Sequence, residues 1–205
     1  MRSRSRQLLD KSLDAMLAAI EIYNKPRFPY RDEAFSVLAI NGWELLLKAR
    51  LLQLGGNKSG AIVAKERRKN ANGKLSKQWY VKRNRANNPM TIGLFKAFDR
   101  ITNDFGESLP EAIRSNLSAL SEIRDNSVHF VNDSLETEKC VNEIGTATTH
   151  NYLTITRQWF GVDFSEYNLS LMPIAFMRSF RTAAGVPVSS EEQNFLDCVK
   201  KLSVV

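Results

Sequence analysis

The fold is decided by residues 31–54, RDEAFSVLAINGWELLLKARLLQL, which form a strong predicted helix, the second of the chain. Gly55-Gly56 follows directly and is expected to end this helix. On its N-terminal side, residues 5–23 carry an apolar stripe at helical spacing, made of Leu8, Leu9, Leu13, Met16, Leu17 and Ile20. Two prolines in the segment NKPRFP, residues 24–29, separate these two predicted helices.

On the C-terminal side, further helices are expected over residues 92–104, 110–131, 135–160 and 190–202. Thr91 is expected to cap the first of them, and Pro110 to open the second as its first residue. Residues 168–176, NLSLMPIAF, are expected to form either a short strand or an extended segment. The chain is therefore predicted to be mainly α. A helical domain is expected over residues 1–160, and residues 161–205 are expected to form a short C-terminal extension, either alone or as the start of further sequence.

The composition excludes several classes of protein. The 205 residues are 43% hydrophobic and 25% charged, which is ordinary for a globular protein and excludes collagen, low-complexity chains and disulfide scaffolds. No run approaches 18 consecutive apolar residues, so no membrane span is expected. The N-terminus is predicted to begin a helix rather than a signal peptide, and Cys140 and Cys198 match no metal or redox spacing. A cytoplasmic location without cofactor or metal is the expectation.

The positive charge is concentrated in residues 57–88, NKSGAIVAKERRKNANGKLSKQWYVKRNRANN. This stretch holds ten basic residues and one acidic residue, a net charge of +9, while the other 19 basic and 21 acidic residues give the remainder a net charge of −2. The pattern indicates either an arm that binds nucleic-acid phosphates or a solvated, mobile loop. The candidate nucleic-acid-binding residues are Lys65, Arg67, Arg68, Lys69, Lys74, Lys77, Trp79, Tyr80, Lys82, Arg83 and Arg85.

The same stretch is predicted to form a β-hairpin inserted between two helices. A β-capable run, residues 61–68, precedes a turn at Asn72-Gly73, and a second run follows at 77–83. Alternation along the second strand would place Trp79 and Val81 on one face. The aromatic rings at 79 and 80 are candidates for stacking on unpaired bases.

One short segment carries groups suited to acid–base chemistry on RNA. Arg124-Asp125-Asn126-Ser127-Val128-His129 lies late in the helix predicted over 110–131. His129 suits proton transfer from a ribose 2′-OH near neutral pH, and the planar fork of Arg124 matches phosphate oxygens. Asp125 lies one helical turn before His129 and either orients it or pairs with Arg124. The alternative is a structural histidine near a helix C-terminus. The other histidine, His150, has no acidic or arginine partner at helical spacing and is expected to be structural or exposed.

This segment resembles the Arg–polar–x–x–x–His signature of the HEPN superfamily, the all-helical nucleotide-binding and RNA-cleaving domains. The helix over 31–54 is similar to that superfamily's Ala–x–Glu–x–x–x–Lys–Ala helix through Glu44, Lys48 and Ala49. The resemblance covers residues 5–160 well and 161–180 loosely, and it extends to a bacterial HEPN-like family of unknown function. It implies a bundle of four or five helices, with the basic hairpin as an insertion relative to the smallest members.

The resemblance also implies a function. It implies a homodimeric, metal-independent endoribonuclease in phage defence or a toxin system, with an antitoxin or defence protein as a further partner. The products would carry 2′,3′-cyclic phosphate and 5′-hydroxyl ends. Arg124 and His129 would be the catalytic pair, with Asp125 assisting and Glu44 and Asn126 supporting. Glu44 is equally a candidate for a buried acid paired with Lys48 or Arg124.

Two other functions remain open from the residues alone. One is a non-catalytic RNA- or DNA-binding module that works through the basic hairpin, and the other is an interaction domain of a larger system. Other chemistries find no support, because the chain has no P-loop, dinucleotide fingerprint, HExxH motif or nucleophile elbow, and its acidic residues are scattered.

Overall fold

The computed structural model describes residues 2–25, 27–70, 72–129 and 135–167, together with the single residues 194, 197, 198 and 201. The side chains at 126–129 and 135–140 lie outside this set. The described part is mainly helical with one small antiparallel hairpin, as predicted. Its elements are α1 (Arg4–Tyr23), α2 (Arg31–Leu54), a 3-10 turn (Ser59–Ala61), β1 (Lys65–Lys69), β2 (Leu75–Val81), α3 (Leu94–Asn103), α4 (Glu111–His129), α5 (Leu135–Phe160) and a second 3-10 turn (Ser165–Tyr167).

The predicted helix positions are confirmed to within a few residues, with small corrections at their starts. α3 begins two residues later than predicted, and Gly93 rather than Thr91 is its N-cap residue. Thr91 is extended because Val63 pairs with it in an isolated β-bridge. Pro110 precedes α4 instead of opening it. The predicted segment 168–176 lies outside the described residues, as does the predicted helix 190–202 apart from its four described positions, which are helical.

The chain divides into two compact units, of which unit 1 comprises Met1–Asp10 and Glu44–Glu107. Its apolar core is built from one end of α1, the second half of α2 and α3, through Leu9, Leu46, Leu47, Leu51, Leu52, Phe98 and Ile101. Polar contacts join these elements at defined points. The buried hydroxyl of Ser5 donates to the carbonyl oxygen of Ala49 at 2.7 Å, and Arg100 Nη1 donates to the carbonyl oxygen of Ala61 at 2.7 Å. The second bond fastens α3 to the turn that precedes the hairpin.

Unit 2 comprises Lys11–Trp43 and Ser108–Val205. Its core contains Met16, Ile20, Phe35, Trp43, Leu117, Leu120 and Tyr152. Ser12 Oγ donates to the carbonyl oxygen of Gly42 at 2.6 Å and lies 2.7 Å from the Tyr152 hydroxyl, so one buried serine links α1, α2 and α5. At Gly42 a Cβ atom would lie 3.4 Å from the Met16 backbone nitrogen, so the glycine allows α1 and α2 to approach closely.

Within the described residues, no helix has both the length and the apolar character that crossing a membrane requires.

Candidate functional site

The predicted motif lies on α4, which belongs to unit 2 and runs without interruption from Glu111 to His129. Arg124 Nε and Nη2 lie 3.0 Å and 2.9 Å from the same carboxylate oxygen of Asp125. The sequence left open whether Asp125 pairs with Arg124 or orients the histidine, and in the structure it holds the guanidinium. The side chain of Arg124 is 35% exposed and that of Asp125 is 61% exposed. A surface ion pair of this kind contributes only about 0–1 kcal/mol, so an incoming phosphate can displace the carboxylate at little cost.

α4 is described as far as His129, and residues 130 and 131 of the predicted helix lie outside the described residues. The helix therefore does extend through position 129, one turn beyond Asp125 and about 7.5 Å along the axis from Arg124. Asn126 lies on the same helix. The side-chain positions of Asn126 and His129 fall outside the described residues, so the roles predicted for them stay predictions.

Glu44 lies on α2 and belongs to unit 1. Of the two partners that the sequence left open, the structure shows Lys48, whose Nζ lies 2.5 Å from Glu44 Oε1. The same Nζ donates to Thr91 Oγ1 at 2.8 Å. The Lys48 side chain is 7% exposed and that of Glu44 is 32% exposed. The pair therefore neutralises a buried ammonium and ties α2 to the segment that leads into α3.

The basic hairpin belongs to unit 1, and its two strands pair antiparallel. Lys65 faces Val81, Glu66 faces Tyr80 and Arg67 faces Trp79 in register. The first strand begins at Lys65 rather than at residue 61 as predicted: residue 61 lies in the 3-10 turn, and Val63 forms only an isolated bridge with Thr91. The turn itself contains Gly73 with a φ of 72°, a conformation that suits glycine, as predicted for Asn72-Gly73.

A bulge interrupts the hairpin ladder between Arg67 and Lys69. Lys69 faces Leu75, so three residues of β2 lie opposite the single residue Arg68. Ser76 secures this irregularity from both sides. Its hydroxyl accepts the backbone N–H of Gln78 at 3.1 Å, and its carbonyl oxygen accepts Arg67 Nε at 2.6 Å. A bulge changes the direction of the side chains next to it. The bond to the Ser76 carbonyl oxygen then holds Arg67 in that direction.

The two aromatic residues of β2 have different surroundings, which the sequence did not distinguish. Trp79 is 63% exposed, more than any other large hydrophobic side chain among the described residues. Tyr80 is half-buried. The guanidinium of Arg68 lies over the Tyr80 ring at 4.9 Å from its centroid, and the Tyr80 hydroxyl donates to Gln78 Oε1 at 3.0 Å. Of the two rings, only that of Trp79 lacks such contacts with other described residues. It is therefore the ring available to a ligand.

A backbone junction at the base of the hairpin was not predicted from the sequence. The Ala64 N–H donates to the Met90 carbonyl, the Met90 N–H to Lys82, and the Lys82 N–H to Ala64, with lengths of 2.8 to 2.9 Å. A second tight turn, residues 84–88, makes this closure possible, and Asn87 adopts a φ of 60° within it. The available signal was the sequence Asn87-Asn88-Pro89, which is typical of turns. The junction closes the base of the hairpin and joins both of its strands to the segment that leads into α3.

The exposed cations of this region divide between the two strands and the two turns. Lys65, Arg67, Arg68 and Lys69 lie on β1 and Lys77 lies on β2, whereas Lys74 lies in the hairpin turn. The second turn and its approach carry Lys82, Arg83 and Arg85. Arg83 Nη1 donates to the Asn87 carbonyl at 2.6 Å, so this arginine also holds the turn in shape.

Among the described residues of unit 2, Tyr152 and Asp163 have shifted pKa values. Burial raises the pKa of the Tyr152 hydroxyl well above its ordinary value, against the opposing effect of its bond to Ser12. The backbone N–H of Ser165 donates to Asp163 at 2.9 Å and lowers the pKa of that carboxyl.

The described residues include no group of three or more His, Cys, Asp or Glu side chains placed to hold a metal ion. His150 is exposed on α5, within the expectation from the sequence.

The family comparison covers nearly the whole chain. The model of a protein family described as a domain of unknown function (DUF3644) matches residues 7–204. Comparisons with curated proteins and with solved structures give no match. On the extent of the family match, the chain belongs to the DUF3644 family.

Proposed function

We propose that this protein is a metal-independent endoribonuclease of the HEPN type, which binds RNA through its basic hairpin and cleaves it with groups on α4. The observation that carries the proposal is the placement of Arg124 on a continuous helix, part-exposed and paired with Asp125, with His129 on the same helix. The resemblance of this segment to the HEPN signature supports the same activity.

The reaction needs no group beyond those that the segment supplies. His129 takes the proton from a ribose 2′-OH, whose oxygen attacks the adjacent phosphorus. The bond from phosphorus to the 5′-oxygen breaks, and that oxygen leaves as a 5′-hydroxyl with the proton that the protonated His129 returns. The other product ends in a 2′,3′-cyclic phosphate. Arg124 stabilises the charge that accumulates on the phosphate oxygens, for which its planar fork is suited.

The proposal includes a homodimer. On one helix Arg124 and His129 point about 140° apart, since five residues turn a helix by about 500°. A two-fold axis beside α4 would bring an arginine from one copy near a histidine of the other, which completes the cleft without bending either helix. Light scattering is expected to give twice the mass of one chain.

The decisive experiment incubates purified protein with total cellular RNA in excess EDTA. Wild type is expected to give discrete fragments with cyclic phosphate ends, and His129→Ala and Arg124→Ala are expected to give none. His150→Ala is the matched control, because it removes an exposed histidine from another helix. Arg124→Lys keeps the charge but loses the fork, so it should restore cleavage only weakly.

Cleavage by His129→Ala at the wild-type rate would remove this residue from the mechanism. Activity that EDTA abolishes would refute the metal-independent reaction. Circular dichroism establishes that each variant is folded.

A second candidate function is a non-catalytic RNA-binding module. It is favoured by the basic hairpin, whose lysine and arginine side chains are exposed on a paired set of strands. Intact RNA with all variants, together with a salt-sensitive gel shift, would establish this function instead. The biological setting we propose is phage defence or a toxin system with a protein that restrains the nuclease. Such a system predicts poor expression of wild type and normal expression of His129→Ala.

A further inference from the structure

The strand register separates the hairpin into two faces of different charge. Successive strand residues alternate between faces, and residues that pair across the strands share one. Residues 66, 68, 78 and 80 lie on one face, as the contacts of Arg68 with Glu66 and Tyr80, and of Tyr80 with Gln78, show directly. The other face, called here the cationic face, consists of Lys65, Arg67, Lys69, Leu75, Lys77, Trp79 and Val81.

The cationic face holds four basic residues and no acidic residue, whereas the opposite strand face holds Arg68 and Glu66, which compensate each other. Lys65, Arg67, Lys69 and Lys77 are all exposed. Along β1 the cations are two residues apart, about 6.6 to 6.8 Å. This spacing is comparable with the separation of phosphates along an extended nucleic-acid strand, so the row can follow a backbone.

Trp79 lies within this row of charges. It pairs with Arg67 across the strands, and the Arg67 guanidinium is held by the Ser76 carbonyl at the bulge. An indole that is 63% exposed beside a fixed cation offers a stacking surface next to a phosphate-binding group. This is the combination that proteins use on single strands, in which bases stack on aromatic rings while cations follow the backbone.

The geometry favours a single strand over a duplex. The ring of Trp79 needs an unpaired base, whose faces are available only outside a stacked duplex. A-form RNA also has a major groove too narrow for side chains to read. In a duplex the cations would still meet phosphates, but the indole would find no partner.

We propose that the cationic face is the docking surface for single-stranded RNA, with Trp79 as its stacking platform and the four cations as its phosphate ligands. The inference rests on the proposed function for the nature of the nucleic acid. Tyr80 and Arg68 on the opposite face take no part in binding, since each is already engaged by the other.

The test measures binding by fluorescence anisotropy with a labelled single-stranded RNA and with a duplex of equal length. The full chain carries His129→Ala, so that no RNA is cut during the measurement. Trp79→Ala is expected to weaken single-strand binding by about 5- to 150-fold, the effect of losing one base–aromatic stack. Tyr80→Ala is the matched control and should change it less than about 2-fold. Trp79→Phe, which keeps an aromatic ring, should recover most of the loss.

Three results would overturn the inference: an effect of Tyr80→Ala equal to that of Trp79→Ala, an unchanged affinity in Trp79→Ala, or equal affinities for the single strand and the duplex. The outcome is separable from that of the proposed function. Wild type that cuts RNA while Trp79→Ala binds normally removes the docking surface and leaves the ribonuclease. Binding that depends on Trp79 in a protein that cuts nothing removes the ribonuclease and leaves the docking surface.

Discussion

Replacing Lys65, Lys69 and Lys77 with glutamine tests how many phosphates the cationic face binds. The three side chains are exposed, and the triple variant leaves Arg67 in place because its bond to the Ser76 carbonyl holds the bulge. Each phosphate contact to a single strand contributes about 0.7 to the slope of log K against log salt. Loss of three contacts is therefore expected to reduce the magnitude of this slope by about 2.

The same slope sets the expected change in affinity. Between 50 and 200 mM salt, wild type should lose about 20-fold more affinity than the triple variant, since a fourfold change in salt acts through a slope difference of about 2. The assay is a salt titration of anisotropy with single-stranded RNA in the His129→Ala background. Circular dichroism checks that the hairpin substitutions leave the helices folded.

The control variant changes the net charge by the same amount at other sites. Lys11, Lys58 and Lys96 are exposed and lie outside the hairpin strands, so their replacement with glutamine should leave the slope nearly unchanged. Equal slopes for the two triple variants would mean that net charge alone governs binding. The assignment of phosphate contacts to the cationic face would then be refuted.

Two further predictions concern residues inside the units. Glu44→Ala is expected to lower the free energy of unfolding by about 1–2 kcal/mol, because it leaves the buried Lys48 ammonium without its carboxylate. RNA cleavage by the folded variant should be unchanged. Slower cleavage by a fully stable variant would instead make Glu44 part of the active site. Tyr152→Phe should cost about 1 kcal/mol at neutral pH in a urea titration, since Ser12 loses a buried hydrogen-bonding partner. The raised pKa of Tyr152 contributes stability that is present below pH of about 10 and lost as the pH rises further, because the unfolded chain then ionises first. The advantage of wild type over Tyr152→Phe should therefore shrink above pH 10, and a constant difference would contradict the assigned burial effect.

The helices were predictable because their signals are local. The apolar stripe of 5–23 and the pair Gly55-Gly56 depend on neighbours within a few turns, and the helices formed there lie within one residue of the prediction. The predicted start of α3 was wrong because Thr91 pairs with Val63, a residue 28 positions away in the sequence. Whether a residue caps a helix depends on competition between local and distant hydrogen-bonding partners. The sequence indicates only the local partners.

The candidate site was predictable in composition but not in arrangement. The sequence singled out the Arg124 segment and the basic residues of 57–88. It did not determine that Asp125 holds Arg124 or that Lys48 takes Glu44 as its partner. A long charged side chain can reach several partners. Which partner it binds depends on burial and geometry, and sequence spacing does not determine either.

By itself the sequence determined that this chain is mainly helical, that its positive charge lies in one inserted hairpin, and which residue types are available for chemistry. These properties follow from periodicity and composition, which are written along the chain. Only the tertiary structure decided which cations share a face with Trp79. That outcome depends on the strand register and on the bulge at Ser76, and a shift of one residue would exchange the two faces. Register is fixed by contacts between segments distant in sequence, here the junction of Ala64, Lys82 and Met90.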